Sequence, residues 1–169
     1  MIVVQDGPAP VLPPGRSVTY LALDPTQPSV RCLWLDEPPA PGTIPGRAWE
    51  VEERPHWDDR QEPGITRFSL LHRAPGLTPA EFARHWTDVH APLARRRHPA
   101  LLRYVQNIVL RPVGDAEAFD GIVELGFASL YDLEERMYDS EEGRAEVASD
   151  VRSFIDVSAG WRVVTRDPT

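Results

Sequence analysis

The alternation of apolar and polar residues divides the chain into a proline-rich first part and a regular second part. Twelve of the 18 prolines lie within the first 63 residues, and this density excludes a helix-rich segment there. Between the proline clusters, short apolar runs predict three strands, at 18–23, 30–35 and 48–53. The stretch "PTQPS" predicts a hairpin between the first two strands, and "EPPAPGTIPG" predicts a loop. We therefore expect residues 1–63 to form a β segment.

The second part, residues 64–169, alternates between strand and helix periods. Apolar alternation predicts four strands, at 65–73, 102–111, 121–128 and 161–165. Residues suited to N-caps begin three helices: Thr78 in a capping box with Glu81, Ser129, and Ser140. We expect Gly160 to end the last helix. The β-α-β-β-α-β order predicts an α+β domain with the ferredoxin-like arrangement, a four-stranded antiparallel sheet with helices on one face.

The predicted sheet is apolar on both faces, because Ile122 opposes Val123 and Leu125. Two helices cover only one face, and the other would exceed the apolar area that a monomer usually exposes. We therefore predict a second layer of β-structure over that face. Either a second subunit supplies it, which makes a homodimer, or the N-terminal strands of the same chain do.

The segment "TPAEFARHWTDVHAP" predicts a helix with an altered end. At roughly 100° per residue, one apolar stripe contains Phe82, Trp86, Val89 and Leu93. On the same wheel His85 and His90 lie about 140° apart, so we expect no shared metal ion. Pro92 lacks an N–H, and we expect the helix to bend or stop near His90.

His90 and Glu124 are the candidate proton carriers. A histidine at the end of a helix, beside an apolar wall, is suited to acid/base work, and the alternative is a structural C-terminal cap. Glu124 lies in mid-strand and either points to water or faces a cavity that raises its pKa. Phe82 and Trp86 either wall a pocket or only pack the core. We expect His85 to flank the core, and a separate pair of histidines to lie at the surface, His72 and His98.

Composition excludes several function classes. The net charge of −8 argues against a nucleic-acid partner, and the chain has no apolar run of the ~18 residues that a membrane span needs. The single Cys32 excludes an internal disulfide and paired-cysteine metal motifs. All 18 basic residues are arginine, which excludes Schiff-base chemistry on lysine. No secretion signal precedes the strands, so a cytoplasmic protein is expected.

Four stretches resemble the EthD family within the dimeric α+β barrel superfamily. They are "RFSLLHRAPGLTPAEFARHWTDVHAPLA", "RYVQNIV", "DGIVELGFASLYDL" and "SEEGRAEVASDVRSFID". The resemblance spans about 64–166, and it implies a subunit that pairs sheet to sheet and holds a small molecule between sheet and helices. It also implies that 1–63 is a degenerate first repeat whose helices are missing.

The resemblance implies an oxidoreductase, monooxygenase or dehydratase acting on an aromatic or polyketide-like small molecule. Matched by motif, the catalytic group would be His90, Tyr104 and Glu124, and the substrate-binding group Phe82, Trp86, Gln106 and His85. Neither a metal nor another cofactor is expected, since one suitable histidine is the sole support for haem. The alternative is a non-catalytic module that only holds a ligand.

Overall fold

The computed structural model describes residues 1–5, 15–35, 44, 46–58 and 62–168. Within that part of the chain the backbone forms eight strands: β1 Ile2–Gln5, β2 Gly15–Ala22, β3 Ser29–Leu35, β4 Arg47–Asp58, β5 Ile65–Leu71, β6 Leu101–Val113, β7 Gly121–Phe127 and β8 Trp161–Arg166. Seven of these agree with the sequence predictions to within a few residues. The strand that the sequence did not reveal is β1, a short run beside a proline cluster. The predicted loop "EPPAPGTIPG" lies mostly outside the described residues.

The helices are short and lie in the second part of the chain: α1 Pro79–His85, a π-helical turn Trp86–His90, α2 Ala91–Arg97, α3 Leu130–Glu135 and α4 Glu141–Phe154. The capping box is confirmed, since Glu81 N–H donates to Thr78 Oγ1 (3.2 Å) and Thr78 N–H donates to Glu81 Oε2 (2.8 Å). Ser129 and Ser140 cap α3 and α4 as predicted. The sequence placed the end of α4 at Gly160, which is wrong. The helix ends at Phe154, and Ile155 is already extended, in a bridge with Arg73.

The strands close into a barrel in which every neighbouring pair is antiparallel, in the order β1-β3-β2-β8-β5-β7-β6-β4 and back to β1. The predicted hairpin between β2 and β3 is confirmed. Because the ring is closed, the described strands leave no unpaired sheet edge. The first part of the chain therefore contributes half of the barrel wall.

The barrel wall separates two apolar layers. The interior holds residues of both parts of the chain: Ile2, Tyr20, Val30, Cys32, Trp49, Phe68, Leu70, Phe119, Ile122 and Val163. Outside β5 to β8, the helices pack on the other face of the same strands. The prediction that more β-structure covers the inner face is confirmed, and the N-terminal strands of the same chain supply it. The homodimer through this face stays a prediction, although strands of the same chain already cover the face.

No helix in the described part of the chain is long and apolar enough to cross a membrane.

Trp49 tests whether the N-terminal strands stabilise the whole barrel. Its side chain is fully buried, its Nε1 donates to the carbonyl of Glu117 (2.7 Å), and its ring contacts Phe119 edge to face (5.7 Å). We expect Trp49→Ala to lower the free energy of unfolding by about 3–5 kcal/mol in a single transition, measured by denaturant titration with far-UV circular dichroism. The matched control is Tyr131→Ala on the exposed face of α3, which should change it little. A small effect of Trp49→Ala, or two separate transitions, would contradict a shared core.

Candidate functional site

A π-helical turn lies at the centre of the long helical segment. The backbone N–H of Ala91 donates to the carbonyl of Trp86, five residues earlier. Such a turn contains one residue more than an α-helical turn, so it changes which residues face inward. His90 is buried, whereas Val89 is 49% exposed. Placing Val89 on the core stripe was therefore wrong, because the wheel assumed an unbroken α-helix.

We expected the helix to bend or stop near His90, and the stop is wrong, because the helix continues through Pro92 to Arg97. Pro92 stands in the first turn of α2, where the missing N–H costs little. The π-turn is the local deviation that accommodates this proline.

Gln106 on β6 braces the π-turn from the sheet. Its Nε2 donates to the carbonyl of Trp86 (2.8 Å), and its Oε1 accepts from Thr87 Oγ1 (3.1 Å). The hydroxyl of Tyr104 accepts from Trp86 Nε1 (2.9 Å) and from Gln106 Nε2 (3.1 Å). These bonds satisfy polar groups that are otherwise wholly buried. They also fix the position of the Trp86 ring.

Asp150 on α4 binds both histidines of the helix. Its Oδ2 accepts from His90 Nδ1 (2.7 Å), and its Oδ1 accepts from His85 Nε2 (2.8 Å). Burial tends to raise the pKa of Asp150, but the hydrogen bonds from the two histidines outweigh it and the pKa is lowered. The wheel separated the two rings by about 140°, whereas the π-turn brings residues five apart to one side. Among the described residues, no group of three or more His, Cys, Asp or Glu side chains is placed to hold a metal ion.

A cavity of about 720 Å³ lies between the helices and the outer face of the sheet. His90, Trp86 and Tyr104 line it, together with apolar residues of β7 and α4 such as Leu125 and Val147. We call this space the helix-side cavity. Its size and its mixture of apolar walls and few polar groups suit a small organic molecule.

Comparison with known proteins assigns the helical part of this site to a family. The EthD domain matches residues 74–158, half of the chain. The chain belongs to the EthD family. No curated protein matches it. The EthD match contains α1, the π-turn, α2, β6, β7 and α4, and thus His90, Tyr104 and Asp150.

Of the positions that the EthD resemblance predicted to contact substrate, some line the helix-side cavity and others pack behind its wall. Trp86 lines the helix-side cavity, but Phe82 packs behind it, against Trp86 (5.3 Å between ring centroids) and Phe154 (5.8 Å). His85 stacks on Phe154 (4.7 Å) and is held by Asp150. Together with Gln106, Phe82 and His85 support the wall rather than form it.

Glu124 faces the opposite side of the sheet from His90. It is buried in the barrel interior, where its Oε1 accepts from Asn107 Nδ2 (2.9 Å) and lies 3.9 Å from Cys32 Sγ. These residues line a second cavity, of about 250 Å³. Grouping Glu124 with His90 and Tyr104 was therefore wrong, since neighbouring residues of a strand point to opposite faces. Of the two alternatives for Glu124, water or a cavity, the structure places it at a cavity.

Burial raises the pKa of Glu124 to about 7, and the hydrogen bond from Asn107 opposes this shift only in part. His98 was expected at the surface but is buried, where its Nδ1 donates to the carbonyl of Met137 (2.9 Å). Burial lowers the pKa of His98 to about 4, so this ring is neutral at pH 7. It lines the helix-side cavity.

Asp150 and Arg67 are two site residues that were not predicted from the sequence. Asp150 lies beside the apolar residues of α4. A carboxylate at the edge of a buried helical stripe is the sequence feature from which it could have been predicted. Arg67 lies in β5 with its side chain towards the helices, lining the helix-side cavity. An arginine inside an apolar strand was the signal there.

The raised pKa of Glu124 predicts how stability depends on pH. In the folded state the carboxyl keeps its proton up to about pH 7, against 4.5 as the ordinary value, so stability falls as pH rises through this window. Glu124→Gln removes the charge and keeps an oxygen for Asn107. We expect the variant to match the wild type at pH 4 and to be more stable at pH 8 by up to about 3 kcal/mol, measured by denaturant titration at both pH values. Exposed Glu134→Gln is the control, and equal stability of Glu124→Gln and wild type at pH 8 would refute the assignment.

Proposed function

We propose that this EthD protein is an enzyme that transfers a proton on a hydrophobic, aromatic or polyketide-like molecule in the helix-side cavity, with His90 as the acid/base. The observation that carries the proposal is the hydrogen bond of 2.7 Å between His90 Nδ1 and Asp150 in the cavity wall. A carboxylate behind an imidazole fixes its tautomer and orientation. The proton of the imidazole then lies on Nδ1, which donates it in the hydrogen bond to Asp150, and Nε2 is free to act as the base.

In the proposed reaction, His90 both takes the proton and returns it, and Asp150 stabilises the charged ring in between. His90 Nε2 takes a proton from an acidic C–H or O–H of the substrate, and the Asp150 carboxylate stabilises the imidazolium. The resulting enolate expels a β-hydroxyl, which takes the proton from His90 and leaves as water, in a dehydration. Alternatively, the enolate carbon forms a C–O bond with dioxygen, which is the oxidant and is reduced to a peroxide anion, and this anion takes the proton from His90 to give a hydroperoxide, an oxygenation. Neither route draws on a further cofactor, and cofactor independence is part of the proposal.

Trp86 and Tyr104 supply the walls for such a substrate. The Trp86 ring is fixed by its bond to Tyr104 and packs on the backbone of Gly121, where a Cβ would lie 2.4 Å from the ring. Burial raises the pKa of Tyr104, so its hydroxyl stays protonated and can orient a substrate oxygen. Glu124 takes no part in this chemistry, because it lies across the sheet.

The second candidate is a module that holds a ligand without converting it. The Asp150 carboxylate joins α4 to α1 through His85 and to the π-turn through His90, and this bridge also has a purely structural use. A stabilising bridge and a catalytic dyad give different results when His90 alone is replaced. The test below separates them.

We also propose that residues 64–169 form a ferredoxin-like unit and that residues 1–63 are an eroded copy of its strands. The order within the first part is β4-β1-β3-β2, and within the second part it is β8-β5-β7-β6. Numbered within each part, both orders are fourth, first, third, second. This repetition supports a pseudo-dimeric barrel within one chain. The homodimer and the cytoplasmic location remain predictions from the sequence.

Hydrogen exchange on an enolisable aromatic ketone tests His90 without knowledge of the substrate. The probe is β-tetralone in D₂O, and the loss of its α-proton signals is followed by NMR. We expect the wild type to accelerate exchange over buffer, and His90→Gln to reduce the acceleration by roughly 10²–10⁴-fold. His72→Gln, a half-buried histidine outside the helix-side cavity, should leave it unchanged. Full exchange by His90→Gln would reject the role of His90, and binding of β-tetralone without accelerated exchange would support the ligand-holding module.

A further inference from the structure

We propose that Arg67 binds an anionic oxygen of the molecule in the helix-side cavity, so that the ligand is an acidic aromatic compound. The inference rests on the proposed function and narrows its substrate class. The anionic oxygen belongs either to a carboxylate or to a phenol or enol that ionises in the cavity. Both sources present the same group to a guanidinium.

Arg67 lacks the partner that a buried arginine normally has. Its side chain is only partly exposed, and its Nε is buried without a hydrogen-bond partner. The guanidinium makes one long contact among the described residues, from Nη1 to Met137 Sδ (3.9 Å), and no ion pair. Burial of an unpaired charge is costly, and burial lowers the pKa of Arg67 accordingly. A bound anion would remove this cost.

Arg103 shows what an ion-paired arginine looks like in the same sheet, although its Nε, like that of Arg67, is buried without a hydrogen-bond partner. Its Nη2 donates to Thr66 Oγ1 (2.7 Å) and to Asp167 Oδ2 (3.0 Å) inside the barrel. Thr66 in turn donates to Asp167 (2.6 Å). The barrel side therefore has its own carboxylate for its arginine, whereas the helix-side cavity has none for Arg67.

The other charged or titratable groups lining the cavity leave Arg67 uncompensated. Asp156 accepts from the N–H (3.0 Å) and hydroxyl (2.6 Å) of Ser158, and it forms no ion pair with Arg67. The remaining groups are cationic, neutral or already paired: Arg162, His98, Tyr104, Tyr138, and His90 with Asp150. Positive charge thus exceeds free negative charge along the wall. A neutral hydrocarbon ligand would leave this imbalance in place.

The position of Arg67 also fits the proposed chemistry. When His90 takes a proton from the substrate, negative charge develops on an oxygen of the substrate. A guanidinium in the same cavity stabilises such an oxyanion electrostatically. The same residue would therefore select acidic ligands and stabilise the product of proton removal.

The test compares two probes of the same shape, 2-naphthoate and 2-naphthamide. We expect the wild type to bind 2-naphthoate about tenfold or more tightly than 2-naphthamide, measured by isothermal titration calorimetry at pH 7. Arg67→Gln should remove this preference and leave 2-naphthamide binding unchanged. Arg67→Lys should keep part of it, since the charge remains. Arg84→Gln, an exposed arginine of α1 that does not line the cavity, is the matched control and should retain it.

A third probe, 2-naphthol, separates the two sources of the anion. If the oxygen ionises in the cavity, the absorbance of naphtholate should appear at lower pH with the wild type than with Arg67→Gln. If only carboxylates bind, 2-naphthol behaves like 2-naphthamide, and Arg67 is a carboxylate site.

Equal binding of 2-naphthoate and 2-naphthamide by the wild type, or a preference retained by folded Arg67→Gln, overturns the inference. Failure of both probes to bind overturns it as well. The exchange assay judges the proposed function separately, because it compares His90→Gln with the wild type and β-tetralone carries neither a carboxylate nor a phenol.

Discussion

The π-turn between Trp86 and His90 determines which side chains reach the helix-side cavity. One additional residue in this turn moves Val89 outward and His90 inward, and it sets His85 and His90 on one side for Asp150. Gln106, which is wholly buried, braces the turn by donating a second hydrogen bond to the carbonyl of Trp86, which also accepts from the N–H of Ala91. The backbone deviation, the brace and the histidine therefore form one interdependent unit. A change in any of them is expected to move the imidazole.

The closed barrel gives this unit a rigid base. β5, β6, β7 and β8 carry the cavity floor on their outer face, and their inner face is covered by strands from the first part of the chain. A dimeric barrel obtains the same cover from a second subunit, whereas here the contacts are intramolecular. The floor of the cavity is consequently complete in a single chain.

Features encoded by a few neighbouring residues could be predicted from the sequence, whereas features that depend on distant parts of the chain could not. Strands with apolar alternation and caps such as Thr78 and Ser140 were predictable, because their signals lie within a few residues. The π-turn could not be predicted, because Pro92 indicates that the helix is irregular near His90 but does not indicate which irregularity forms. Asp150 and Arg67 meet the site only through the fold, 60 residues after His90 and 23 before it. The face of Glu124 depended on which side of the sheet the helices covered.

The alternation of side chains along β7 places Glu124 on the opposite side of the sheet from His90. Val123 and Leu125 line the helix-side cavity, while Glu124 between them lies in the barrel with its pKa near 7. The sheet therefore prevents Glu124 and His90 from acting on one substrate as an acid and base pair. Among the described groups of the helix-side cavity, His90 is the imidazole with a carboxylate behind it, and His98 is held neutral. A single base returns a proton to the face from which it was taken. With His90 as the proposed acid/base, proton removal and proton return would therefore occur on the same side of the substrate.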